Sequence, residues 1–467
     1  MNISGTNWTL SPALRKSVVD MHNAYGTEEY NDKRNQLSLS IRRAKQEYKV
    51  KVGNLFAENK PREAWKGLKT LLGMDKKRKD PAIISTTGSA DRLNHFYARF
   101  DNKDFSKEHQ EIRERLSSAV QKVTISEDLV IKSIRKIDIK KATGPDKIGG
   151  KVIKGCMYSL LRIIHSLFEL SLSTCTYPTS WKVGEIVPLE KKPLPQCDND
   201  LRPVTLTAVM SKCLERVGLN LTMPYVESRL DPMQFAYLKG RSTNDAVVTV
   251  IHRIAEHLDK HSSHTARVLY IDFSSAFNTI QPHKMVEKLE QLQVPAFLQL
   301  WLFDYLTGRP QYVRTNHEVS KTLVLNAGAP QGCVLSPVLF VLYTNDMRWN
   351  TNNVFITKYA DDTIIAGLVK ADNIQEYKDS IDYAVDWCRN NFLELNVSKT
   401  REVIWDYRRT RRCDHENLVI DNMNVEISDS YKYLGLTMDN QFKFSEHVNL
   451  KCKNANSYVL CEIYYKT

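Results

Sequence analysis

Residues 353–368, "NVFITKYADDTIIAGL", limit the fold more than any other stretch of the chain. Short apolar runs rich in β-branched side chains flank a break at Ala360 and Asp361. That pattern predicts strand, turn and strand, with both strands buried. Asp361 and Asp362 then lie at the tip of a hairpin. Aspartate is common in turns, so this place alone reads either as a structural turn or as a pair of ligands.

A second stretch bears on that choice. In "RVLYIDFSSAFNTI" the run Val268, Leu269, Tyr270 and Ile271 leads straight into Asp272. A buried strand that delivers an acid at its end can present a metal ligand, although an acid also stops strands and caps helices. Three carboxylates converging from two strands would repel one another unless divalent cations lay among them, and Mg²⁺ prefers such hard oxygen ligands. Two such ions stabilise the attacking and leaving oxygens of an in-line phosphoryl transfer. The rest of the chain suits a polyanionic partner, since the net charge is +12 and the pI about 9.1. Charge alone leaves nucleic acid and an anionic membrane both open.

With 467 residues the chain can hold two to four compact units. It has no apolar run of roughly 18 residues, and "MNISGTNWTL" lacks the regions of a signal peptide, so a soluble intracellular protein without a membrane partner is expected. Nine scattered cysteines without a C-x-x-C pair read as reduced thiols. "KKRK", Lys76 to Lys79, reads equally as a nuclear localisation signal and as a solvated basic loop.

Near the start, Leu37, Ile41, Ala44, Tyr48, Val52 and Leu55 recur at helical spacing. Arg42, Arg43, Lys45, Lys49 and Lys51 fall largely on the other faces, where they are either solvated or track phosphates. A charged connector, "DNKDFSKEHQEIRER", precedes a denser region, which places a boundary near residue 125. Beyond it strand-like "VGEIVPL" and "RVLYIDF" alternate with helix-like stretches such as "TAVMSKCLERVGLNLTMPYVESRL". This predicts an α+β unit with a mostly antiparallel sheet.

"DFSSAF", "GAPQGCVLSPVLF" and "YADD", in that order, resemble the palm of a reverse transcriptase from a non-LTR (LINE-type) retrotransposon. "KATGPDKI", "LRPVTL", "QFAYLKGRSTNDAV", "LELNVSKTR" and "YKYLGL" extend the resemblance over about residues 125 to 440. The resemblance implies a right-hand polymerase fold preceded by a mostly helical basic region, residues 1–125. Fingers and the start of the palm would span 126–260, the palm 261–440, and the start of a shortened thumb 441–467. It implies an RNA-directed DNA polymerase that joins dNTPs to a primer 3′-hydroxyl on an RNA template. A chain of this extent is expected to be a fragment without the endonuclease and most of the thumb, so a silent nucleic-acid-binding remnant is the alternative. Nuclear and cytoplasmic residence would follow from a chromosomal target.

The resemblance also assigns residues. Asp272 and Asp361 become the principal ligands of two Mg²⁺ ions, with Mn²⁺ as a substitute, Asp362 a neighbouring carboxylate and the Phe273 carbonyl a further ligand. Phe277 would lie under the sugar and exclude a ribose 2′-hydroxyl. That ring and "YADD" disfavour an RNA-dependent RNA polymerase. Gln331 and Gly332 would meet the nucleotide or template base, Gly328 and Gly332 permitting close backbone approach to substrate. Pro337 opens the helix that follows. Lys191, Lys192 and Arg202 would hold the triphosphate, Arg202 by forked contacts. Gly240 and Arg241 would contact template or nucleotide. Lys399 would protonate pyrophosphate after approaching during closure.

Overall fold

The β-branched runs become strands where the sequence places them. A computed structural model describes residues 12–25, 27–58, 90–192, 195–260, 264–370, 373–408 and 415–464. "KKRK" lies outside the described residues, as do the side chains of Lys45 and Val52.

The first sheet contains β1 (Gly184–Glu190), β2 (Leu201–Leu206), β4 (Arg309–Val313) and β5 (Leu323–Leu325), in the order β2-β1-β4-β5. β1 and β2 are antiparallel, with Leu189 opposite Arg202, whereas β1 and β4 run parallel. The second sheet holds β3 (Thr265–Ile271), β6 (Val354–Tyr359), β7 (Asp362–Val369), β8 (Arg401–Asp406) and β11 (Glu426–Ile427). Its order is β11-β8-β3-β7-β6, and every pairing except β11 with β8 is antiparallel. Two small hairpins, β9 (Val419–Ile420) with β10 (Met423–Asn424) and β12 (Ser430–Tyr433) with β13 (Leu436–Asp439), complete a mixed α+β architecture.

Alternation along β3 explains its unbroken apolar run. Leu269 and Ile271 join a core with Met285, Leu339 and Tyr377 of the helices Pro282–Gln291, Leu335–Tyr343 and Gln375–Asn390. Val268 and Tyr270 face the other way, onto Val250 and Ile254 of the helix Thr243–Lys260 and onto Tyr433 and Met438 of the β12–β13 hairpin. Covered on both faces, the strand needs apolar side chains at every step.

Two compact units divide the chain, Met1–Ile83 with Val448–Thr467, and Ile84–His447. In the first, helix Tyr30–Ala57 buries Leu37 and half-buries Ile41, Ala44, Tyr48 and Leu55, while Arg42, Arg43, Lys49 and Lys51 are exposed. That is the striped helix read from the sequence. In the second, packing starts well ahead of residue 125. Ala90, Leu93 and Tyr97 of helix Ala90–Ala98 form a core with Ile186, Leu201 and Val313 of the first sheet. The charge of "DNKDFSKEHQEIRER" concealed this, because its helix Ser106–Arg115 buries only Ile112. No helix of the described residues is long and apolar enough to cross a membrane.

Candidate active site

Strand register brings the three acids to one end of the second sheet. β3 finishes at Ile271 opposite Thr363, so Asp272 follows the last pair and Asp362 precedes it. Tyr359 pairs with Asp362, leaving Ala360 and Asp361 as a two-residue loop. Ala360 takes φ +58°, the sign that primed hairpin turns need at their first position to match strand twist. An alanine there is mildly strained, which the surrounding contacts must outweigh.

Burial raises the proton affinity of all three acids, and at Asp361 and Asp362 the neighbouring acids add to it. Burial, then Asp361 and Asp272, push the Asp362 carboxyl up to about 6. Asp361 is raised by burial and by Asp272, against a smaller opposing pull from Arg202. Asp272 is raised by burial, opposed by Lys399, by a hydrogen bond with Asn396 and by Lys191. Among the described residues no three His, Cys, Asp or Glu side chains converge tightly enough to hold a metal ion. The acids share a field rather than a closed cage.

Basic groups stand around that field. The Lys399 Nζ lies 3.9 Å from Asp272 Oδ2, so it already flanks the acids without any closure. Lys191, on the β1–β2 hairpin, has its ammonium held below the usual value by burial, then by Lys399 and Arg202, with Asp272 pulling the other way. Lys191 and Arg202 therefore join Lys399 at the site. Lys192 does not: it pairs with Asp200 at 2.9 Å, part of the reason the Asp200 carboxyl falls to about 2 after the hydrogen bond from the Gln196 backbone.

A family model described as "Reverse transcriptase (RNA-dependent DNA polymerase)" matches residues 189–438, over half of the chain, and includes all three acids. The chain belongs to the reverse transcriptase family. It is 27% identical to an RNA-directed DNA polymerase from mobile element jockey of Drosophila melanogaster, over 73% of this chain and 38% of that one. A probable RNA-directed DNA polymerase from transposon X-element of the same fly is 27% identical over 68% of this chain and 36% of its own. A retrovirus-related Pol polyprotein from the type-1 retrotransposable element R1 of Bradysia coprophila is 25% identical over 68% and 32%. The chain thus spans about two fifths or less of the length of these relatives.

Within this reverse transcriptase domain the "GAPQG" loop is fastened to its neighbours. Gly328 N donates to Ile280 O at 2.7 Å, Ala329 N to Phe277 O at 2.8 Å, and Thr205 N to Gln331 O at 2.8 Å. A Cβ on Gly328 would stand 3.0 Å from Asn278 O, and one on Gly332, at φ +114°, 3.0 Å from Thr205 O. The close approach these glycines allow within the fold is thus to the chain's own backbone. Gln331 is half-buried. The Phe277 ring, partly buried, packs against Phe340 at 5.2 Å. Pro337 stands in the first turn of helix Leu335–Tyr343 as expected.

Arg241 is exposed, but its guanidinium is engaged by its own segment. Its guanidinium donates to the carbonyls of Pro232 and, at 3.0 Å, Gln234, and lies over the Phe235 ring; Gly240 takes φ +76° beside it. The Phe273 pairing with Leu395 is made through Asp272 O and Ser274 N, so the Phe273 carbonyl takes no part in it.

Sequence reasoning missed several residues of the site. Asn396 N donates to Asp272 O at 2.8 Å, and its side chain bonds the Asp272 carboxylate. Tyr237, at φ +57°, has its hydroxyl raised by burial and then Asp361. Tyr431 is raised by burial, then Asp272 and Asp362, and stacks on Tyr270 at 4.1 Å. Buried Glu215 accepts from Val334 N at 2.6 Å and Leu335 N at 3.0 Å, capping the helix after the loop. "LELN", "QFAYLKG" and "YKYLGL" marked three of these places without saying which side chain mattered.

Proposed function

We propose that this chain carries the RNA-directed DNA polymerase activity of a non-LTR retrotransposon, with Asp272, Asp361 and Asp362 as its catalytic acids. One observation carries the reading: three carboxylates share the end of the central sheet, all raised by burial and Asp361 and Asp362 also by their acidic neighbours, with Lys399, Lys191 and Arg202 at their edge. A protein that invests in such repulsion needs a compensating charge. Hard carboxylate oxygens and the Phe273 carbonyl are donors suited to Mg²⁺, with Mn²⁺ as a substitute. Two bound ions would activate the primer 3′-hydroxyl and stabilise the leaving pyrophosphate.

The remaining roles fall to the chain's own groups. Asp272 and Asp361 hold the cations, while Asp362 adds negative field and keeps a proton until cations or higher pH remove it. Lys191 and Arg202 take the triphosphate on the β1–β2 hairpin, and Lys399 is placed to give a proton to the departing pyrophosphate. Phe277, packed on Phe340, offers a ring face to the sugar and leaves little space for a 2′-hydroxyl. Gln331 lies beside it on the fastened loop. In right-hand terms, residues 126–260 would supply the fingers and the start of the palm, and 261–440 the palm. An RNA template, a DNA primer and dNTPs are the partners, and a chromosomal target would bring the protein into the nucleus.

Purified chain, oligo(dT) on poly(rA), dTTP and Mg²⁺ or Mn²⁺ provide the test. Extension by the wild type and none by Asp361→Ala supports the reading. Retained template binding without extension by the wild type would replace it with the silent remnant. Phe277→Val should raise ribonucleotide incorporation, and an unchanged sugar preference removes the gate.

A further inference from the structure

We propose that Gln234 is a positioning residue that fixes the turn carrying Asp361, an inference that rests on the polymerase reading above. Ala360 lies outside the β6–β7 register, so its N–H has no acceptor in that ladder. The acceptor it finds is distant in sequence. Gln234 Oε1 receives the Ala360 N–H at 3.2 Å and the Ala236 N–H at 2.9 Å.

The segment holding Gln234 runs beside β6 as a short parallel addition to the sheet. Phe235 N donates to Lys358 O, and Lys358 N to Met233 O, each at 2.9 Å. Both ends of the segment are anchored. The fully buried Lys358 ammonium lies 2.8 Å from Asp231 and donates to the carbonyls of Thr344 and Met347 at 2.7 Å. Arg241 closes the other end on the carbonyls of Pro232 and Gln234. Gln234 is thus a rigid acceptor, 1% exposed, aimed at the first residue of a strained turn.

The amide's other end is informative. Among the described residues Gln234 Nε2 is buried without a hydrogen-bond partner, so the side chain serves through its oxygen. A residue selected only to fill space would not leave a buried donor unpaired, since an apolar side chain of similar size avoids that cost. Ala360 precedes Asp361 directly, so freeing its N–H lets the turn relax and moves the carboxylate that the chemistry requires. Misplacement of about an ångström is enough to cost a large factor in rate.

Gln234→Met keeps the volume and removes the acceptor, whereas Gln234→Glu keeps an acceptor. Hydrogen–deuterium exchange with mass spectrometry on the full chain reads the peptide holding Ala360 without any need for activity. The expected result is turn exchange about tenfold faster in Gln234→Met and close to wild type in Gln234→Glu. In primer extension, Gln234→Met lowers kcat about tenfold with KM for dTTP changed less than about twofold, and Gln234→Glu restores most of kcat. Wild-type exchange in folded Gln234→Met overturns the proposal, as does an equal loss of kcat in both variants. Should Gln234→Met fail to fold, Gln234→Asn, which withdraws the oxygen by one methylene, gives the same comparison. A wild type unable to extend a primer defeats the polymerase reading, while the exchange result still decides the clamp.

Discussion

Glu402 and Asp361 are acids of the same sheet, and the protein treats them in opposite ways. Glu402, on β8, is fully buried and receives a forked pair of hydrogen bonds from Arg267 at 2.8 and 2.7 Å, with a third from the Tyr377 hydroxyl at 3.0 Å. Glu185, on β1, is handled alike. Burial pushes its carboxyl up, but donors from Arg314, Lys147 and Tyr312 outweigh that and leave it lowered. Asp304 receives Lys182 at 2.7 Å and the Tyr177 N–H at 2.7 Å. At the sheet end, Asp361 and Asp362 instead have other acids as neighbours and are raised. Where an acid serves the fold, a strong donor comes with it; at the sheet end Asp272 has Asn396 and, at 3.9 Å, Lys399, while the partner we propose for Asp361 and Asp362 comes from outside.

The comparison breaks most decisively at Asp361. Replacing it by Asn should lower primer extension on the order of 10³-fold, since part of the charge stabilisation of the transition state goes with it. The melting temperature should hold or rise, because a repulsion is relieved. A variant both inactive and several degrees less stable would make Asp361 a structural acid after all.

Glu402→Ala should do the reverse. It strands the buried Arg267 guanidinium, a change that costs about 3–5 kcal/mol in this kind of pair. Urea unfolding should show the loss, with activity falling only as the folded fraction falls. A midpoint shift below about 1 kcal/mol would mean the pair is not a working part of the sheet.

Protons offer a subtler test. The Asp362 carboxyl sits at about 6 in the folded chain and near 3.8 when unfolded, so between these values the native state binds more protons. Without divalent cations, stability should therefore decline as pH rises from about 4 to 6. Asp362→Asn should remove that decline, and Mg²⁺ should move it to lower pH. Equal pH profiles for wild type and Asp362→Asn would show that the acids do not burden one another.

Lys191 and Lys192 sharpen the comparison at its edge, being adjacent in sequence but engaged differently. Lys191→Ala should raise KM for dTTP severalfold, whereas Lys192→Ala, losing a pair with Asp200 that lies apart from the acids, should change it less than about twofold. The same KM effect from both lysines would dissolve the distinction.

The sequence revealed what is local. The hairpin, its turn at Ala360 and Asp361, the strand ending at Asp272 and the helix opening near Pro337 all follow from short-range periodicity and turn chemistry. Partners chosen by tertiary packing stayed hidden. Nothing near Ala360 points to Gln234 as its acceptor, and Glu215 gives no local sign that it caps a helix far along the chain. The glycines of "GAPQG" showed that close approach was needed but not that the approaching backbone would be that of Asn278 and Thr205. Helix Ala90–Ala98 was missed as part of the second unit because its apolar side chains answer strands of the first sheet, far off in sequence.

Mn²⁺ binding, followed by electron paramagnetic resonance on the full chain, tests most directly whether the acids at the sheet end exist for cations. Wild type should take up Mn²⁺ that Mg²⁺ displaces, and Asp361→Asn should lose most of that uptake while keeping its fold. Equal uptake by the two proteins would contradict the assignment of the sheet end as the metal site.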